Sequence, residues 1–530
     1  MPFASAAPGQ NIKVPSGRLA ALSPRAWLRR SIRHGEEWIA GLMVLYAAGL
    51  LCLYYILKPM RSALFLKDLP ARDLPNAYLL AAVLAGPLVL VTYKFGRRLS
   101  VIALITATNG AVLGCLLFFR WAVSAGIPWL PYLYFAFVQV IPVLCIAQFW
   151  LLAGYIFDGR QAKRIFGFLG AGAIIGSIAG SVVTDLLHHY SMTAMLTICA
   201  VLCAALTALA RVAWNYRRPD LDTARESSGG PDAADRGAGL LPTVFGSRLL
   251  RLMVLIVFLT MIASQIADWQ VDYAAQEHYG HLPKPAMEQE IKAFRARFNW
   301  ITNLIGLVLQ LCLTGALIRW TGIAGSILFL PASLGLTSLG VLFAPSLATA
   351  TASLGCSSVF RYSVHRAGSE LLFLPLSPPQ RKRVKLFVDV FADRIGRAVA
   401  AFIILALTTR ALPIGLPGTA SVVVLLALGC ILCSVRLHRG YVDAFRRQLV
   451  RREVDLSEVN RYVTDAASLR LLISMLKSRT ERQILYSLGL LQSARNFDFS
   501  AELLPLLEHP SAFVREEAVR TLHALPGNHE

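Results

Sequence analysis

Charge is scarce in this chain, and acidic charge scarcer still. Only 16% of its 530 residues are Asp, Glu, Lys or Arg, and 31 acidic residues stand against 52 basic ones. Soluble domains carry about 25% charged residues, so a water-exposed surface of ordinary composition is excluded. Residues 1–37 are not expected to be a cleavable leader: they have no apolar core, and the basic stretch Arg25, Arg29, Arg30 and Arg33 runs directly into the first apolar segment. The nine cysteines fall within apolar runs. Cys430-Ile431-Leu432-Cys433 has redox spacing, but inside such a run it reads as a pair of inert packing thiols. No nucleophile–base pair, zinc spacing or phosphate loop is present. Gly170-Ala171-Gly172 lies in an apolar run, without the strand–turn–helix setting a phosphate loop needs. No catalytic residue, metal or cofactor is therefore expected, and the chain does not read as an enzyme. A basic–aromatic platform for nucleic acid is likewise lacking.

What the chain does have is apolar length. Hydrophobic residues make up 56% of it, and the mean hydropathy is +0.56. About a dozen apolar runs are long enough to cross the ~30 Å hydrocarbon core as helices. They fall at about 38–57, 76–94, 100–119, 129–155, 166–187 and 192–213, then at 249–274, 299–320, 323–343, 346–374, 386–410 and 417–437. The expected fold class is all-α: a polytopic membrane protein of about twelve transmembrane helices in two six-helix bundles.

The domains follow: a basic cytoplasmic tail over 1–37, a first bundle over 38–213, a polar cytoplasmic linker over 214–248, a second bundle over 249–437, and a helical cytoplasmic domain over 438–530. The formal charge of +21 resides mostly in short segments beside the runs, such as Lys94/Arg97/Arg98, Arg160/Lys163/Arg164 and Arg381/Lys382/Arg383/Lys385. The positive-inside rule then puts both termini in the cytoplasm. Six spans, a long linker and six more spans is the layout of a two-bundle secondary transporter. Residues 281–297, with Glu288, Glu290, Lys292, Arg295 and Arg297, are too polar to cross a bilayer and read as an amphipathic external helix before the eighth span.

Ionisable residues inside spans are costly and mark function or pairing. Tyr54, Lys58 and Arg61 share one face of the first span, either snorkelling to the interface or contacting an anion. Gln265, Asp268, Asp272 and Gln276 form a stripe on the seventh. Its carboxylates can pair with Lys58 and Arg61 or bind a cation or proton. Asn299 and Asn303 lie on the eighth span as helix glue or ligand contacts. Arg361, His365, Arg366 and Glu370 lie on the tenth, at the i, i+4 spacing that also suits structural ion pairs. Asp389, Asp393 and Arg397 share a face of the eleventh and read as a gate at its cytoplasmic end, with Arg160, Lys163 and Arg164 entering the fifth span. The expected substrate-binding set is Lys58, Arg61, Asn299, Asn303, Arg361, Arg366 and Glu370, with Asp268 and Asp272 as coupling or counter-charges. Gly172-xxx-Gly176-xxx-Gly180 is a double small-residue seam that admits a close neighbouring helix.

In the last ninety or so residues charge returns with helical patterning. Leu503 to Leu522 reads as helix, His509-Pro510 turn, helix, and resembles a HEAT repeat.

Four sequence segments carry a wider resemblance. Phe149-Trp150 with Phe157-Asp158-Gly159-Arg160-Gln161-Ala162-Lys163-Arg164-Ile165-Phe166-Gly167, followed by the glycine seam, is similar to the ATP/ADP translocase (nucleotide exchanger) family, in its bacterial branch with C-terminal HEAT repeats. Tyr54-Tyr55-Ile56-Leu57-Lys58-Pro59-Met60-Arg61 and Phe360-Arg361-Tyr362-Ser363 through Glu370 also resemble that branch. The likeness covers about residues 38–530. It implies a major-facilitator-like pair of bundles around a central cavity, where intramembrane charged side chains serve nucleotide exchange, with Lys58 and Arg61 at the expected basic position.

The expected function is secondary transport of an organic anion, with a nucleotide as one candidate, across a bacterial inner membrane. The expected partners are the lipid bilayer, that substrate and a cytoplasmic protein bound by the HEAT-like domain, with no nucleic acid. The alternative is a membrane-anchored interaction protein acting through that domain.

Overall fold

The computed structural model describes residues 36–96, 99–217, 248–373, 393–408, 415–451, 481–491 and 500–523, with isolated positions 384, 473 and 476. The N-terminal tail, the linker, the basic cluster at 381–385 and Asp389 lie outside the described residues.

The first half contains α1 (Glu37–Asp68), α2 (Leu74–Gly96), α3 (Val101–Ser124), α4 (Leu130–Ile156), α5 (Gly159–Leu186) and α6 (Met192–Trp214). The second contains α7 (Arg248–Tyr279), α8 (Lys284–Val308), α9 (Thr314–Phe343), α10 (Leu347–Phe360), α11 (Asp393–Thr408) and α12 (Leu416–Arg451). Helix starts follow local chemistry. Ser100 and Ser191 accept the Ala103 and Ala194 N–H groups at 3.3 Å each, and Ser346 with Thr349 forms a reciprocal capping box. Among the described residues, nine helices are long and apolar enough to cross a membrane, and the chain is a multi-pass membrane protein. Exposed tryptophans mark both ends, Trp38 and Trp320 where the linker joins, Trp121 and Trp129 at the far end.

Each half repeats one packing scheme. In the first, α1 packs on α4, α5 and α6, α3 on α4 and α6, and α2 on α4. In the second, α7 packs on α10, α11 and α12, α9 on α10 and α12, and α8 on α10. Adding six to each number of the first set yields the second. Between the halves, α5 meets α8 and α2 meets α11, two pairings that exchange when the halves are swapped. That is a pseudo-two-fold pair of six-helix bundles, the major-facilitator arrangement. The regularity is broken by α8, which also runs along α1.

The glycine seam of α5 fits against α1. A Cβ at Gly172 would lie 2.7 Å from Val44, and Cβ atoms at Gly176 and Gly180 would overlap the backbone of Ala48 and Cys52.

The reading of 281–297 as a separate external helix needs correction. Lys284 begins a helix that runs unbroken to Val308, continues through a π segment at Leu309–Leu313, and turns back at Gly322 (φ 73°) within α9. Glu288, Lys292 and Arg295 are buried. Their charges are tolerable because each meets a polar partner on a neighbouring helix or loop.

Beyond the bundles, α13 (Glu481–Leu491) packs on α15 (Ala512–His523), with the short α14 (Ser500–Leu503) leading into the intervening turn. Ile484, Leu488, Leu503, Val514 and Ala518 are buried there, and Ser511 donates to Glu481 at 2.7 Å.

Candidate functional site

The polar stripes of α1, α7 and α8 converge between the halves. Asp268 and Asp272 stand one turn apart on α7. Opposite them on α8 stands Arg295, four residues before Asn299 and eight before Asn303, so one face carries all three. The Arg295 Nε donates to Asp272 Oδ1 at 2.8 Å, its NH1 donates to Asp268 Oδ1 at 3.1 Å, and its NH2 donates to the Asp268 carbonyl at 3.1 Å. Ser62 of α1 donates to Asp272 at 3.5 Å. Sequence reasoning missed Arg295 as a site residue. The signal was present, since Lys292, Arg295, Asn299 and Asn303 are spaced 3, 4 and 4, the same spacing as Gln265, Asp268, Asp272 and Gln276.

Arg61 lies 3.9 Å from Asp268 Oδ2, as the stripe suggested. Its guanidinium is buried, with its carbon 4.1 Å from the Phe135 ring centroid. Lys58 finds an amide instead of a carboxylate, donating to Asn299 Oδ1 at 3.0 Å, and its ammonium lies 5.3 Å from the Tyr55 ring centroid. Asn303 donates to Ser177 of α5 at 3.1 Å. Arg397 of α11 donates to Gln265 at 3.1 Å, and Arg361 donates to Ser357 at 2.9 Å.

These groups surround a cavity of about 110 Å³. Among the described residues its charged lining comprises Lys58, Arg61, Arg361 and Arg397 against one carboxylate, Asp268, with Tyr54, Tyr55 and Tyr362 as aromatic walls. Two buried donors at this cavity, Arg61 Nε and Gln265 Nε2, have no hydrogen-bond partner among the described residues. Buried donors of this kind call for an acceptor. A second cavity of about 300 Å³ adjoins it within the second half, sharing Arg361, Tyr362 and Arg397 and adding Arg366 and Glu370. Arg361 opens a π segment, Arg361–His365, which abuts the π segment of α8. Such segments frequently occur at functional sites.

The sequence-predicted residues thus divide. Lys58, Arg61, Asn299, Asn303, Asp268 and Arg361 face the central cavity, with Asp272 behind them. Arg366 and Glu370 face the second cavity. Arg397, expected at a cytoplasmic gate, lines both. Arg164 pairs with Glu36 at 3.3 Å, joining α5 to the start of α1 within one half. The side chains of Arg160, Lys163 and Asp393 lie outside the described residues, as does Asp389. No grouping of His, Cys, Asp or Glu able to hold a metal occurs among the described residues.

Beyond those at the cavity, further polar contacts between the halves lie at the far end. Lys67 meets Glu288 at 2.8 Å, Lys292 donates to the Tyr190 carbonyl at 2.8 Å, and Arg297 meets Asp185 at 2.8 Å.

Solved structures share this architecture. The nucleoside transporter NupG superposes with a TM-score of 0.54 at 14% identity, covering 76% of this chain and 99% of that one. A bacterial homologue of the iron transporter ferroportin, in an inward-facing state, superposes at 0.53 with 14% identity, covering 76% and 98%. A bacterial metal transporter reaches 0.50 at 12% identity, covering 78% and 99%. The sequence matches no family model and no curated protein. The fold is the major-facilitator fold of such transporters.

Proposed function

We propose that this chain is a secondary active transporter that moves an organic anion across the bacterial inner membrane by alternating access. One observation carries the reading: among the described residues, four basic side chains from both halves face one cavity, and Arg61 meets its carboxylate, Asp268, only at 3.9 Å. Basic groups in a low-dielectric setting favour a negative ligand, and guanidiniums suit bidentate capture of phosphate or carboxylate. Lys58, Arg61, Asn299, Asn303 and Arg361 form the first contact set, and Arg366 and Glu370 line the continuation toward the linker. Asp268 and Asp272 serve as counter-charges. Arg160, Lys163, Arg164, Asp389 and Asp393 form the cytoplasmic gate, while the position of Arg397 favours ligand contact as well. Both termini lie in the cytoplasm. The contacts at the far end fit a state closed to the outside.

The motif at 157–167 and its likeness to ATP/ADP translocases favour a nucleotide, exchanged in the manner of that family, and the tyrosines around Lys58 suit a ring-bearing anion. The α13–α15 pair supports the HEAT-like reading of the tail. The second reading, a membrane anchor whose tail recruits a cytoplasmic protein, draws on the same helix pair.

An uptake screen of labelled nucleotides and other organic anions in proteoliposomes tests the proposal. Arg61→Ala and Arg366→Ala are expected to abolish uptake without abolishing expression. Unchanged transport in both refutes the anion site. Deleting residues 440–530 separates the two readings: loss of a captured partner, with no transport by the full-length protein, supports the anchor.

A further inference from the structure

Two carboxylates sit one turn apart on α7, and their surroundings differ. Asp272 is fully sealed and held by Arg295 and Ser62. Asp268 keeps 20% of its side chain exposed and lines the central cavity. It is also shared. One oxygen accepts from Arg295 at 3.1 Å, while the other faces Arg61 at 3.9 Å, beyond hydrogen-bond range. Arg61 belongs to the other half, is 3% exposed, and has a buried Nε with no partner among the described residues. A buried guanidinium held by one long ion pair and a ring face is under-satisfied. An anion in the cavity would satisfy it better than Asp268 does.

We infer that Asp268 is the positioning residue that ties anion binding to separation of the two halves. A phosphate or carboxylate entering the cavity takes Arg61, and Asp268 withdraws onto Arg295. This deepens the anion-site reading and rests on it. Arg295 makes the exchange possible because its fork already holds Asp268 through side chain and backbone. The carboxylate is therefore never left as an isolated buried charge, the outcome that makes breaking such pairs costly. The bond surrendered joins α1 to α7, across the halves. The bond retained joins α8 to α7, inside one half. Binding thus turns a link between bundles into a link within a bundle, and an anion that fails to reach Arg61 leaves the far end shut.

The test uses the full-length protein with spin labels at Arg72→Cys and His281→Cys, exposed positions at the far end of the two halves. The exposed native thiols Cys115 and Cys312 are replaced by Ser. Inorganic phosphate, ADP and citrate are the probes, with binding followed by thermal shift. In the parent protein a bound probe is expected to lengthen the distance between labels. In Asp268→Asn the long distance is expected without any probe, and the probe still binds but moves it no further. Arg295→Lys keeps the charge and loses the fork. The probe is expected to bind with the distance change largely lost, whereas a purely electrostatic role predicts a response like the parent's. Probe-dependent lengthening that persists in both variants overturns the inference and spares the anion site. If no probe binds the parent protein, the anion-site reading falls and takes this inference with it.

Discussion

Gln276 of α7 accepts the Ala71 N–H at 2.7 Å, although the two residues belong to different halves. The same amide donates to the Leu66 and Leu69 carbonyls at 2.9 Å each, and the neighbouring Trp269 indole donates to the Ala71 carbonyl at 2.8 Å. The last turn of α1 leaves its carbonyls without helical partners, as every helix end does, and α7 supplies the missing donors. The loop between α1 and α2 is thereby latched to the opposite bundle.

Gln276→Leu removes that latch and leaves three backbone groups short of a partner. We expect a loss of about 2 kcal/mol, as for buried groups whose partner is deleted, read as a lower melting temperature. Ser62 is buried beside Asp272. A Ser62→Cys thiol should therefore react with a polar maleimide several-fold faster once Gln276→Leu is added. Equal labelling rates would show that the latch does not hold the far end closed.

Arg295→Ala strands two carboxylates, one of them fully buried. The expected cost is about 3–5 kcal/mol, the range for breaking a buried pair from one side. The triple change Arg295→Met, Asp268→Asn, Asp272→Leu should recover most of the melting temperature without restoring transport. Failure of the triple variant to exceed Arg295→Ala in stability would mean that the loss lies in packing.

Gly176→Ala should damage the first half alone. Its Cβ would overlap the Ala48 backbone, so α1 and α5 must part, at a cost of about 1–3 kcal/mol. Gly170→Ala is the control, because a Cβ there meets nothing within 4 Å. Thermal unfolding of the two variants side by side decides this. Equal melting temperatures would contradict the close approach.

Arg361→Gln and Arg397→Gln each remove one of the four positive charges at the cavity. On the proposed function, each should raise the KM for an anion taken up in proteoliposomes about tenfold, equivalent to ~1.4 kcal/mol, with expression unchanged. An unaltered KM in both would place the anion nearer Lys58 and Arg61 alone.

Val514 is buried on α15, which packs on α13 and on the turn before it. Val514→Asp puts a charge into that contact and should expose the tail to protease while leaving uptake intact. Lost uptake would mean that the tail takes part in transport.

Much of this protein follows from the chain alone. The all-helical, multi-pass class, the repeat of halves and the stripes on α1 and α7 are one-dimensional properties, since a bilayer forces apolar length into helices and helical period places i, i+4 and i+7 on one face. Gly172, Gly176 and Gly180 declared a close helix contact for the same reason, though not that α1 fills it. Arg295 shows where such reading stops. Its segment is polar enough to look external, and it is buried because Asp268, Asp272, Lys67 and the Tyr190 carbonyl happen to meet the same helix face. Partner choice between distant helices depends on how α8 lies along α1 and α5. That geometry comes from packing in three dimensions, which no periodicity along the chain encodes.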